Sequence, residues 1–170
     1  TLGGAYVTAE DVGVSPSDLQ TAAEHTSYIS GIETLDGVGG NPSPFTARGV
    51  CLGLESAARF AFDRSDIAGL RIAVQGLGGV GMNLAQLLHD RGATVVVADL
   101  SEARVEEARD RFAAEVAPVD TVLLSDVDVI APCALGAVIT PEVARRITAR
   151  VVAGGANNQL SEAAAGRILF

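Results

Sequence analysis

The sequence predicts an α/β fold in which a doubly wound parallel sheet carries helices on both faces, and three observations predict it. Strand-like apolar runs alternate along the chain with helical patterns. The runs are continuous and rich in valine, as in Thr94 to Ala98, which suits parallel strands covered on both sides. The turn between one such strand and the next helix reads Gly76-Leu77-Gly78-Gly79-Val80-Gly81, with glycine at all three positions of G-x-G-x-x-G.

The elements follow in order. Gly4 to Thr8 reads as a short strand. Ser15-Pro16-Ser17-Asp18 then gives an N-cap, a proline at the first helical position and an acidic third residue, so a helix should run to about Thr26. Gly31 to Pro44 is rich in turn formers and reads as a connection, with a domain boundary near Gly37 to Gly40. Residues 1–36 are therefore expected to be a remnant of a second domain, and residues 37–170 the α/β domain. After Pro44 a helix with a largely apolar circumference suggests a buried element. Then come a strand at Leu70 to Gln75, a helix from about Gly78 to Arg91, a strand at Thr94 to Ala98 and a helix from Ser101 to Glu115. A short strand near Val116, a strand at Val127 to Ala131, a short helix opened by Pro141, a strand at Val151 to Ala153 and a helix capped by Ser161 complete the order.

Composition removes several classes of function. Hydrophobic residues at 48% and charged residues at 19% give a foldable core and exclude a disordered tail. No apolar run approaches the roughly 18 to 20 residues that cross a bilayer, and no signal core opens the chain, so a cytoplasmic protein with no membrane partner is expected. A formal net charge of -9 repels a phosphate backbone, which argues against nucleic acid. Cys51 and Cys133 lack paired spacing and are expected to be reduced; His25 and His89 have no companion at ligand spacing, so no metal is expected. Thr1 is not methionine and Phe170 falls inside a helical pattern, so both ends are expected to be cut.

The glycine turn has a physical logic. Gly76 permits the tight turn, Gly78 lets backbone approach a pyrophosphate, and Gly81 lets helix and strand pack closely, while Leu77, Gly79 and Val80 line the same loop. A pyrophosphate there meets unpaired N–H groups and the positive end of a helix dipole. Asp99 ends the second strand, eighteen residues after Gly81. Its carboxylate can accept from adenosine ribose hydroxyls and would repel a 2′-phosphate, which favours NAD over NADP, with Leu100 beside it at the same end of the site. Arg104, a turn into the next helix, is read as a solvated residue. The unit is a Rossmann-type fold and its expected cofactor is NAD.

Further segments narrow the reading: Tyr6-Val7-Thr8-Ala9-Glu10-Asp11-Val12-Gly13, Asn41-Pro42-Ser43-Pro44-Phe45-Thr46-Ala47, Ala131-Pro132-Cys133-Ala134-Leu135-Gly136, and Gly154-Gly155-Ala156-Asn157-Asn158-Gln159-Leu160. With the fingerprint, and in this order, they resemble the glutamate/leucine/phenylalanine/valine dehydrogenase family, nearest to its leucine, valine and phenylalanine branch. The resemblance implies reversible oxidation of an apolar L-amino acid to a 2-oxo acid and ammonia. It implies that Asp11 is the catalytic aspartate exchanging protons with the substrate nitrogen, that Thr8 and Asn157 face the substrate, and that Thr46 and Asn157 also reach the nicotinamide end. Cys133, Ala134 and Ala156 would wall the cofactor site. By residue chemistry alone, Asp11 reads first as a loop-capping aspartate, Thr46 reads equally as a helix-start threonine satisfying backbone amides, and a structural turn is the alternative for the asparagines.

In that family the catalytic lysines lie in an upstream glycine-rich segment, which this sequence lacks, and the family continues past the position of Phe170. The expectation is an incomplete piece that binds NAD without turnover by itself and forms a homo-oligomer in the full-length protein. Another Rossmann NAD oxidoreductase, or a non-catalytic NAD-binding module, stays open as an alternative.

Overall fold

The computed structural model describes residues 2–11, 13–32 and 40–170. They form two compact units, Thr1–Ser43 and Pro44–Phe170. The expected boundary at Gly37, and Val12 of the Tyr6 to Gly13 segment, lie outside the described residues.

In the first unit the strand expected at Gly4 to Thr8 does not form. Gly3 and Gly4 take left-handed φ values of 53° and 88°, which turn the chain, and among the described residues of the unit one parallel bridge forms, Thr8 with Ile29. Helix α1 spans Pro16–Ala23, and its start matches the expected capping box: the Asp18 N–H donates to Ser15 Oγ at 3.3 Å and the Ser15 N–H to Asp18 Oδ2 at 2.8 Å. It stops short of Thr26 because Thr26 Oγ1 accepts the Tyr28 N–H at 3.2 Å, a local turn that competes with the helix.

Apart from its first residue, α2 (Ser43–Phe62) lies in the second unit. Ala47, Cys51, Leu54 and Ala58, at helical spacing, are fully buried, whereas Phe45, Leu52 and Phe60 are exposed. The helix is thus covered on one face only, contrary to the buried element its apolar circumference predicts. It forms an outer layer, whose packed face among the described residues is the one turned to the sheet.

Strands β1 (Arg71–Gln75), β2 (Thr94–Ala98), β3 (Glu115–Val116), β4 (Val129–Pro132) and β5 (Val151–Val152) make a five-stranded sheet in the order β3-β2-β1-β4-β5. All its pairings are parallel; Gln75 lies in register with Ala98 on one side and Pro132 on the other. Successive residues of β1, β2 and β4 enter opposite cores. Ile72, Val74, Val95, Val97, Val129 and Ala131 pack with α2, α3 (Gly79–Asp90) and α4 (Glu102–Phe112). Ala73, Val96, Ala98 and Ile130 pack with a 3-10 turn at Val122–Leu124, α5 (Pro141–Ala144) and α6 (Ala163–Leu169). Two-sided burial is why these strands read as unbroken apolar runs.

Two helix ends differ from expectation. Helix α4 ends at Phe112, not Glu115, because Ala113 turns left-handed at φ 49° and frees Glu115 to enter β3. Ser161 does not cap α6: its N–H donates to the Ile139 carbonyl at 3.0 Å, and Glu162 takes the N-cap position. Across the amino ends of the strands, Arg71 donates from both terminal nitrogens to the Glu115 carboxylate at 2.7 and 2.8 Å, and its N–H donates to Asp128 Oδ2 at 2.8 Å.

Candidate functional site

The connections from β1 and β4 leave in opposite directions, β1 towards β2 and β4 towards β5, which opens a crevice at their carboxyl ends. The glycine turn sits there. Gly76 has φ 90°, and a Cβ on it would come within 2.8 Å of both the backbone nitrogen and Cβ of Ala134. A Cβ on Gly81 would run into the Gly76 carbonyl oxygen and lie 3.3 Å from Cys133 Cβ. A Cβ on Gly78 would meet nothing within 4 Å. The three glycines thus have different reasons: two are forced by contact with protein, and the third borders open space. Gly78 is the N-cap of α3 and brings no capping side chain, so the first N–H groups of that helix, which lack partners within it, remain for an anion.

Asp99 sits at the end of β2, partly exposed. Oδ2 accepts the Leu77 N–H at 2.6 Å and Oδ1 accepts the Ser101 N–H at 2.8 Å, so the carboxylate ties the glycine turn to the second strand. Two oxygens offer about four acceptor positions, which leaves about two for a ligand. Leu100 beside it is 90% exposed, an apolar side chain with no protein cover.

The other wall comes from the segments after β4 and β5. The Cys133 N–H donates to the Gln75 carbonyl at 2.7 Å and the Ala156 N–H to the Pro132 carbonyl at 2.9 Å. A Cβ on Gly154 would strike the Pro132 carbonyl; one on Gly155 would lie 2.8 Å from Val80 Cγ1, 3.6 Å from Cys133 Sγ and 3.8 Å from Val50 Cγ2. Backbone here threads between the end of β4, the first turn of α3 and Val50 of α2. Thr46 lies one turn before Val50 on the same face of α2 and is exposed. Burial pushes the Cys133 thiol up, partly opposed by a hydrogen bond from the Gly155 backbone, which favours the protonated thiol near neutral pH.

The structure therefore groups Gly76, Leu77, Gly78, Gly79, Val80, Gly81, Asp99, Leu100, Cys133, Ala134 and Ala156 around the strand ends, with Thr46 adjoining through Val50 and the exposed Asn157 next to Ala156. Thr8 and Asp11 belong to the first unit. Thr8 makes the bridge to Ile29, and Asp11 is exposed in a turn closed by the Val14 N–H donating to its carbonyl at 3.0 Å. Sequence reasoning missed Gln75, which is buried and whose Oε1 has no hydrogen-bond partner. A polar residue closing an apolar run was the available signal. Among the described residues no cluster of His, Cys, Asp or Glu is arranged to hold a metal, and no helix is long and apolar enough to cross a membrane.

A family model described as Glutamate/Leucine/Phenylalanine/Valine dehydrogenase matches residues 39–105. Leucine dehydrogenase of Bacillus subtilis (strain 168) is 44% identical over 95% of this chain and 44% of its own length. L-tryptophan dehydrogenase of Nostoc punctiforme (strain ATCC 29133 / PCC 73102) is 36% identical over 94% of this chain and 44% of its own. The crystal structure of L-tryptophan dehydrogenase from Nostoc punctiforme superposes with a TM-score of 0.77 at 34% identity, covering 99% of this chain and 47% of that one. The chain spans a little under half the length of the relatives it matches.

Proposed function

Because the chain belongs to the glutamate/leucine/phenylalanine/valine dehydrogenase family, we propose that it supplies the nucleotide-binding part of an NAD-dependent amino-acid dehydrogenase. The reaction of the protein that contains it is the reversible oxidative deamination of an apolar L-amino acid of the leucine, valine or phenylalanine kind to the 2-oxo acid and ammonia. The observation that carries the reading is the glycine turn at the strand switch point. Its open side at Gly78, the uncapped start of α3 and the spare acceptor positions on Asp99 fit a dinucleotide in chemistry and in space.

In this reading Gly76 to Gly81 hold the pyrophosphate through backbone N–H groups, and Asp99 and Leu100 hold the adenosine end. Thr46, Cys133, Ala134, Ala156 and Asn157 bound the nicotinamide end. When bound, NAD supplies the acceptor for the hydride leaving the amino-acid α-carbon. Asp11 exchanges a proton with the substrate nitrogen, and Thr8 and Asn157 orient the substrate. Asp99 carries charge where NADP would bring a phosphate, which supports NAD as the cofactor. The chain's 12 basic residues are all arginine, so no lysine is present to act as a base, and the 170-residue chain is proposed to bind NAD without turnover. Self-association of the whole protein belongs to the same proposal; the exposed Phe45, Leu52 and Phe60 of α2 support it.

The test is NADH formation by the whole protein, followed near about 340 nm, with L-leucine, L-valine, L-phenylalanine and L-glutamate. The expected result is activity on one or more of the first three. Activity on none of the four removes the assignment. Calorimetric titration of the 170-residue chain should give binding of NAD and little of NADP.

A further inference from the structure

We infer that Gly136 is a positioning residue, through which the loop after β4 is clasped to the loop after β5 so that the dinucleotide crevice is preformed; the inference rests on the NAD reading of the site. A Cβ on Gly136 would run into Oδ1 and Cγ of Asn158 and would lie 2.7 Å from the Asn158 carbonyl oxygen. Only glycine lets the two loops approach this closely. The next residue, Ala137, takes a left-handed φ of 61°, disfavoured for any residue with a Cβ, and its N–H donates to that same Asn158 carbonyl at 2.6 Å. Such a conformation persists only where its surroundings impose it, and such places concentrate at binding sites.

The clasp continues as a short parallel ladder outside the main sheet. The Ile139 N–H donates to the Gln159 carbonyl at 2.9 Å, the Ser161 N–H donates to the Ile139 carbonyl at 3.0 Å, and Ile139 pairs with Leu160. Ile139 is fully buried, with Leu160 packed against the same core, so the ladder is anchored to the body of the unit. At its other end the loop rests on the first glycine of the turn, Ala134 against Gly76. Ala134 to Gly136 therefore form a short arch fixed at Gly76 on one side and at Asn158 on the other. Displacing Gly136 from Asn158 moves Ala134 against Gly76, where the pyrophosphate turn begins. A preset arch avoids an ordering cost on binding.

The experiment compares NAD binding by calorimetry, thermal melting, and amide hydrogen exchange at Ala137 and Ile139 in the parent, Gly136→Ala, Asn158→Ala and the double variant, with binding measured well below the melting temperature. Gly136→Ala should raise the Kd for NAD about tenfold, about 1.4 kcal/mol, and speed exchange at Ala137. Asn158→Ala alone should bind close to the parent. In the double variant the side-chain overlap is gone while the contact of the new methyl with the Asn158 carbonyl at 2.7 Å remains, so part of the affinity and of the slow exchange should return. A solely structural glycine would lower the melting temperature and leave Kd unchanged, which overturns the inference. It is also overturned if Asn158→Ala gives no rescue. Where Gly136→Ala does not fold, the double variant must fold and bind, and its failure to do either overturns the inference. A parent that binds no NAD removes the dinucleotide reading itself, whereas a binding parent with an unaffected Gly136→Ala removes only the clasp.

Discussion

The Asp99 carboxylate accepts two backbone N–H groups, from Leu77 and Ser101, and a ribose would share its remaining acceptor positions. From sequence alone it reads as a ligand contact; in the fold it is also the strut that holds the glycine turn to β2. Asp99→Ala therefore removes both at once. Hydrogen bonds to a charged group contribute about 1.5 to 3 kcal/mol each. NAD should bind about tenfold more weakly or worse, and the melting temperature should fall as well, since the Leu77 N–H loses its partner beside a buried side chain. Calorimetry and thermal melting on one preparation check both halves. A variant that keeps its melting temperature denies the strut; a parent that prefers NADP denies the cofactor assignment.

At the scale of elements, the glycines of one fingerprint should separate cleanly. Gly81→Ala forces a methyl into the Gly76 carbonyl between α3 and β1, a backbone obstacle that cannot rotate away, so a loss of about 1 to 3 kcal/mol in denaturant unfolding is expected. Gly78→Ala adds its methyl to open space at an ordinary φ of -68°, so stability should stay within about 1 kcal/mol of the parent, while NAD binding should weaken if that space is, as proposed, where the pyrophosphate lies. Equal stability losses in the two would sink the distinction. The Arg71 and Glu115 pair that spans the amino ends of the strands gives a pH test. The Arg71 hydrogen bonds hold the Glu115 carboxyl below its ordinary range, so its contribution is present above the unfolded glutamate pKa and is lost as pH falls through the lower folded value. Both side chains are about half exposed, so the effect is small. The melting difference between the parent and Arg71→Met should be larger at neutral pH and shrink in acid, leaving the part due to the Arg71 Nε–H that donates to the Asp126 carbonyl; a difference constant with pH contradicts it. Features set by neighbours in sequence were legible: the strands of the main sheet, the α1 capping box and the glycine turn at a strand end. Features set by distant partners were not. Helix α6 starts late because Ser161 is bonded to Ile139, and the Gly4 to Thr8 strand fails because only a single bridge to Ile29 supports it. The left-handed turn at Ala113 carries no glycine to announce it. The glycine pair Gly154-Gly155 marks a tight place in the sequence, but that it packs against Pro132 and Val80 emerges only from the sheet order.

For the whole molecule, the question is which group moves the substrate proton. Among the residues grouped in the second unit, Asp99 already accepts two backbone N–H groups and burial favours the protonated form of the Cys133 thiol. Asp11, exposed in the turn of the first unit, is the carboxylate that the family resemblance assigns to the task. Asp11→Asn keeps side-chain size and removes the ability to take up and return a proton. In the whole protein it should lower kcat by about 10² to 10⁴, the usual contribution of a general acid or base. The Kd for NAD should change little, because the groups proposed to hold the dinucleotide all lie in the second unit. Initial rates of NADH formation with the preferred amino acid, paired with NAD titration of the same variant, separate the two effects. A loss confined to kcat assigns the proton to Asp11. An unchanged kcat takes Asp11 out of the mechanism, and a parallel loss of NAD affinity would mean that the substitution disturbs cofactor binding instead of proton transfer.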